Sequence, residues 1–168
     1  MPFAVTHILI PIIILDLIRD KVKGFKKKIT LHEILVAGVF GILPDIDIAV
    51  EFLFKFLGGT ANLHRFYTHT LVFPAIITAI AYFAISRKKT KMLFYCAAFG
   101  LATHVILDFI VGGLVYPFYP ISDFATGLGL VIRETTVNSI QLLAGIDAVV
   151  LLVWIIHEER KKKIKDFI

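Results

Sequence analysis

The chain has 168 residues, of which 58% are hydrophobic, with a mean hydropathy of +0.84 and a formal net charge of +5. An ordinary soluble domain is about 45–50% apolar, so this excess, gathered in long runs, argues against a typical water-soluble protein and for a bilayer. A single cysteine, Cys96, excludes an internal disulfide, and its apolar setting in LFYCAAFG predicts plain packing.

In chain order, five apolar runs are predicted, at about 3–18, 31–57, 70–86, 92–111 and 136–156. The opening MPFAVTHILIPIIILDLIRD lacks a basic start and a small-residue cleavage site, and reads as a first span and not a signal peptide. The second run contains Pro44, which predicts a span ending near Leu43 and then an amphipathic helix over 46–57, with Asp47, Glu51 and Lys55 on one stripe. The fold class expected is all-α: a polytopic membrane bundle of about five transmembrane helices in one domain, 1–168, ending in a basic tail, 158–168.

The positive charge does not point to nucleic acid. Fifteen of the 18 Lys and Arg fall in three segments, 19–28, 87–91 and 158–168, which border the apolar runs. That is the positive-inside pattern. With all three segments cytoplasmic, five spans alternate without exception, giving a multi-pass plasma or inner membrane protein with its N-terminus outside and its C-terminus inside. The outer connections are then 58–69 and 112–135. The second carries Tyr116, Phe118 and Tyr119, the aromatic content of a membrane–water interface.

Inside the runs sit groups that a bilayer penalises: His7, Asp45, Asp47, His69, His104 and Asp108, with His64 and Arg65 nearby. A charged side chain at membrane depth costs about 2.5–3.5 kcal/mol even on lenient scales. Counted from the nearest basic segment at about 1.5 Å per residue, His7 lies roughly 18 Å in, His104 roughly 20 Å, and Asp45, His69 and Asp108 roughly 26–27 Å. Polar groups from four runs therefore share the outer half of a hydrocarbon layer about 30 Å thick. Unpaired carboxylates would repel one another and resist desolvation; a divalent cation relieves both penalties and accepts imidazole and carboxylate ligands. HVILD places His104 and Asp108 at i, i+4 on one helical face, whereas His64 and His69 in HRFYTH need a turn to meet at one site. Of the other acids, Asp16 and Glu33 are expected to be solvated at cytoplasmic ends. Asp147 is expected either to support a histidine or to bond another span.

Taken together, TH near the start, LPDID, HRFYTH followed by Thr70, and GLATHVILD followed by GLVYPFYP resemble the YdjM-type family of membrane-bound metal-dependent hydrolases. The likeness covers about residues 5–125, with Phe66 and Tyr67 standing where the family has Gly and a variable residue. The order of the ligand types is also similar to that of zinc-dependent phospholipase C and related zinc nucleases. That likeness implies that Asp45, His64, His104 and Asp108 hold one ion, and that Asp108 bridges to a second ion bound by His7. The further downstream ligands of those enzymes have no counterpart here except His157 in the basic tail, so the expectation is one or two ions, with Zn²⁺ first in line.

The reading is a hydrolase of a phosphoester, with a lipid phosphate or phospholipid among the candidate substrates, using an activated water. Asp47 or His69, whichever is not a ligand, serves as base or orients the water, and Arg65 pairs with a phosphate oxygen. Membrane lipids are the expected partners. Transport of a metal ion or proton is the alternative, disfavoured by the apolar inner halves IITAIAYFAIS and MLFYCAAFGLA. A non-catalytic protein with a structural metal is the third reading.

Overall fold

The computed structural model describes residues 4–60, 67–131 and 137–160. The fold is all-helical: α1 (Ala4–Lys21), α2 (Leu31–Ile42), a 3₁₀ turn (Leu43–Asp45), α3 (Ile46–Phe56), α4 (Val72–Phe83), α5 (Lys88–Leu107), a π-helical segment (Asp108–Gly112) and α6 (Val137–Arg160). Among the described residues the only extended pairing is an isolated antiparallel bridge between Val115 and Thr126.

Helix α5 is the central post, packed against α1, α2 and α4, while α6 lies on α1. Small residues let the backbones close in: a Cβ at Gly100 would strike the Ala37 carbonyl across the α2–α5 contact, and one at Gly38 would strike Ile12 across α1–α2. This is how helices gain contact where lipid competes for every apolar surface. The core at the basic end joins Leu15, Ile29, Ile34, Ala37 and Cys96, so the cysteine is packed as expected. Large apolar side chains such as Phe83, Val149, Leu152 and Val153 point outward, as suits helices solvated by acyl chains.

Two helical stretches among the described residues, Lys88–Gly112 and Ile140–Arg160, are long and apolar enough on their own to cross a bilayer. The count of five expected from the runs is not reached on length. Helices α2 and α4 have 12 residues each, about 18 Å against the roughly 20 residues a full span needs. Pro44 ends α2 in the 3₁₀ turn, as the sequence predicted, and α3 leaves it as the amphipathic piece with Lys55 bonded to Glu51 at 2.6 Å. Helix α1 reaches 18 residues but carries Asp16, Arg19, Asp20 and Lys21 in its last turns.

Two acids expected to be solvated are buried. Asp16 pairs with Arg19 at 2.8 Å, one turn on. Glu33 closes a capping box on Thr30, accepting its backbone N–H at 2.8 Å and its hydroxyl.

The bundle has distinct ends. Asp147 of α6 meets Thr6 near the start of α1, and His157 and Glu158 of α6 lie beside Asp16 near its end, so α1 and α6 run parallel. Glu158 and Asp16 share a cavity with Leu31 and Ile34 of α2, which puts the end of α1, the start of α2 and the end of α6 together. Lys27 and Lys28 share another with Lys88, Lys89 and Lys91. Apart from Lys55 of α3, the basic residues described thus gather at one end, and His7, His69, His104 and Asp108 lie at the other.

Candidate metal centre

Four separate pieces of chain meet at that second end. Helix α1 brings His7 on its first turns. The 3₁₀ turn brings Asp45, and the first turn of α3 brings Asp47. The segment entering α4 brings His69, and the end of α5 with the π-helical segment brings His104 and Asp108. His7, His69, His104 and Asp108 have no exposed surface. His64 and Arg65 lie outside the described residues.

Local chemistry explains how these groups come so close. Proline at position 11 has no N–H, so the His7 carbonyl lacks its helical partner, and Gly41 packs directly over that carbonyl; a Cβ there would collide with it. The Gly41 carbonyl in turn lies 2.7 Å from His104 Nδ1. A carbonyl only accepts, so Nδ1 carries the proton and Nε2 presents a lone pair inward. The widened turn Asp108–Gly112 ends at Gly113, whose φ of +96° suits a residue without a Cβ. Helices often carry such π turns at functional sites. The loop that follows is fastened back: Leu128 N–H donates to the Phe109 carbonyl (2.8 Å) and Leu130 N–H to that of Ile110 (3.0 Å). It is also tied to the His69 segment, since the Thr70 hydroxyl reaches the carbonyls of Pro117 (2.9 Å) and Tyr119 (3.0 Å).

The distances inside are uniform. His69 Nε2 lies 3.4 Å from Asp45 Oδ1 and 3.3 Å from Asp108 Oδ2. His104 Nε2 lies 3.7 Å from Asp45 Oδ1 and 3.6 Å from Asp108 Oδ2. On the far side His7 Nε2 lies 3.5 Å from Asp108 Oδ1, and the His7 and His104 rings stack with centroids 4.0 Å apart. The other edge of His69 is held from outside: Nδ1 faces Asp47 Oδ2 at 3.4 Å and the Thr68 hydroxyl at 2.9 Å, and Thr68 donates to Asp47.

A cation fits this donor set. A charged N–H···O bond runs about 2.7–2.9 Å, and every inward pair here is longer. Ligands at about 2.0–2.1 Å from a tetrahedral Zn²⁺ stand roughly 3.4 Å from one another, which is the spacing found. Both ring nitrogens of His7, Asp45 Oδ1, His104 Nε2 and both oxygens of Asp108 are buried without a hydrogen-bond partner. Groups in that condition cost roughly 1–3 kcal/mol each, more when charged, unless something other than a hydrogen bond satisfies them. Among the described residues, two groups of ligand atoms at this end converge within 4.8 Å, His7 with His104 and Asp108, and Asp45 with His69 and His104; a third, Asp16 with His157 and Glu158, lies at the basic end.

The sequence reading differs from this arrangement in detail. It left open which of Asp47 and His69 is a ligand and which acts on the water; the structure sets His69 among the inward-facing donors and Asp47 behind it. It assigned no role to Gly41, Thr68 or Thr70, although Gly41 stands beside LPDID and the two threonines flank His69 in YTHT. Of the two roles open to Asp147, the structure displays the bond to another helix. Its carboxylate accepts the first-turn N–H groups of Val5 (3.3 Å) and Thr6 (3.0 Å) and the Thr6 hydroxyl, capping α1 one residue before His7.

These features define a helical membrane protein with a buried imidazole–carboxylate cluster at one end of its bundle. The chain belongs to the YdjM inner membrane protein family, whose model matches residues 1–164. It is similar to inner membrane protein YbcI of Escherichia coli (strain K12), 30% identical over 117 residues. The match covers 67% of this chain and 63% of that protein, so the chain spans less than two thirds of that relative's length. No solved structure matches the chain, and the likeness to zinc phospholipase C rests on ligand order alone.

Proposed function

We propose that this protein is a membrane-embedded, metal-dependent phosphoester hydrolase whose site lies at the outer side of the inner membrane. The observation that carries the reading is the set of buried, unsatisfied donor atoms of Asp45, His104 and Asp108, spaced for ligation and not for hydrogen bonding. A bound divalent cation, Zn²⁺ by donor type, supplies a water of lowered pKa and polarises a phosphoryl oxygen.

Asp45, His69, His104 and Asp108 are the residues that would hold the ion. Gly41 and Asp47 fix the two imidazoles from behind, the carboxylate–histidine arrangement that sets tautomer and ring angle. His7, stacked on His104 and without a hydrogen-bond partner at either nitrogen, takes the proton from the attacking water at Nε2 and returns it to the leaving alkoxide, while the new P–O bond forms and the ester P–O bond breaks. Arg65 stands one residue from His64 in the HRFYTH motif and serves to pair with a phosphate oxygen. One ion suits the described donors better than two, because His104 Nε2 would otherwise be claimed twice.

In this reading α1, α2, α4, α5 and α6 make five passages of the bilayer. The parallel course of α1 and α6 agrees with an outer N-terminus and a cytoplasmic C-terminus, and the gathered lysines mark the inner end. The short spans are completed by neighbouring turns. A lipid-borne phosphoester in the outer leaflet is the substrate class that reaches such a site laterally. A structural metal is the second reading, favoured by a site that already offers four inward-facing protein residues.

Elemental analysis of the purified protein beside Asp45→Ala and His104→Ala, with a phosphoester panel, tests the proposal. Metal and hydrolysis lost together in both variants support it. Hydrolysis that persists without metal ends it, and a stoichiometric metal with no hydrolysis turns the choice to the structural reading.

A further inference from the structure

We propose that the cavity at the basic end, far from the histidine cluster, is a binding site for a phosphate-bearing anion. It has a volume of about 690 Å³ and is walled by Lys27 and Lys28 from the segment after α1 and by Lys88, Lys89 and Lys91 from the first turn of α5, over a floor of Met92 and Tyr95. That volume falls within the roughly 300–1,000 Å³ of small-molecule sites. Among the described residues none of the five lysines pairs with a carboxylate. The one acid in the wall, Glu33, already accepts the Thr30 N–H and hydroxyl. Positive-inside topology asks only that lysines lie on the cytoplasmic side; it does not ask two separate segments to surround one concavity. Lys91 is steadied by the Tyr82 carbonyl (3.2 Å) and Lys28 by the Phe25 ring (5.5 Å). Clustered uncompensated ammonium groups over an apolar floor match a phosphate carried on a glycerolipid, because basic pockets between helices on that side take such headgroups. Free phosphate shares the chemistry and is the other source.

The test uses full-length protein in detergent and counts bound phosphatidylglycerol and phosphatidylcholine by native mass spectrometry. Two exposed pairs are changed separately, Lys27→Gln with Lys28→Gln, and Lys88→Gln with Lys89→Gln. Lys162→Gln with Lys163→Gln in the tail matches the charge loss as a control. Each cavity pair should weaken phosphatidylglycerol about tenfold or more, at about 1 kcal/mol per lysine, with phosphatidylcholine unchanged and the tail pair within about twofold. Displacement of phosphatidylglycerol by millimolar inorganic phosphate assigns the site to the free anion; resistance assigns it to the headgroup. Equal losses in cavity and tail variants, or no loss in either cavity pair, overturn the proposal. Neither readout depends on hydrolysis at the other end.

Discussion

His104 and Gly41 are joined by a 2.7 Å contact between an imidazole Nδ1 and a backbone carbonyl. One glycine thereby does two things: its carbonyl orients a histidine of the candidate centre, and its bare Cα admits the carbonyl of His7 from α1. The centre therefore depends on a residue that bears no functional group.

The first expected outcome follows directly. Gly41→Ala forces α1 and α2 apart, at about 1–3 kcal/mol for overpacking, and tilts His104. Metal affinity, measured by competition with a chelator, should fall about 10–100-fold. Unchanged affinity would show that His104 is not held through this carbonyl.

Asp47→Asn separates positioning from catalysis. A carboxylate behind His69 Nδ1 contributes to ligand basicity, so its loss should weaken metal binding about 10–100-fold. A carboxylate acting only on the water would leave metal content at the wild-type level and lower the rate alone.

His7→Gln tests the opposite division. Here metal content should be retained while kcat falls about 10²–10⁴-fold, the usual contribution of a positioned base. Loss of the metal in this variant would make His7 a ligand.

Metal removal should also register as stability. A ligand present at about 100 times its Kd adds about 2.7 kcal/mol to the folded state. Stripping the wild type should therefore lower its melting temperature in detergent, whereas stripping Asp45→Ala should do little. Equal shifts in the two proteins would mean that the chelator acts elsewhere.

Asp147→Ala removes the cap from α1. A lost cap costs about 1 kcal/mol, which for a chain of this size is about 2–4 °C in melting temperature. Because the cap ends one residue before His7, hydrolysis should fall further than stability does.

Much of this arrangement could be read from residue order. Pro44 announced the break between α2 and α3, and HVILD announced a one-face pair, because proline chemistry and the helical repeat are local. The burial of Glu33 was also local, since TLHE spells a capping box; the greater weight given to its place near a basic segment hid it. What could not be read was which aspartate of LPDID faces inward. Asp45 and Asp47 stand two residues apart, and their division of labour is set by His69, which reaches them from a different helix. The tie from Thr70 to the loop beyond Gly113, and the grip of Asp147 on α1, join positions far apart in the chain and leave no periodic trace.

The cap on α1 spans 141 positions of sequence. Synthesis therefore delivers His7 well ahead of the acid that caps its helix, and the candidate centre takes its final form only once α6 has docked on α1.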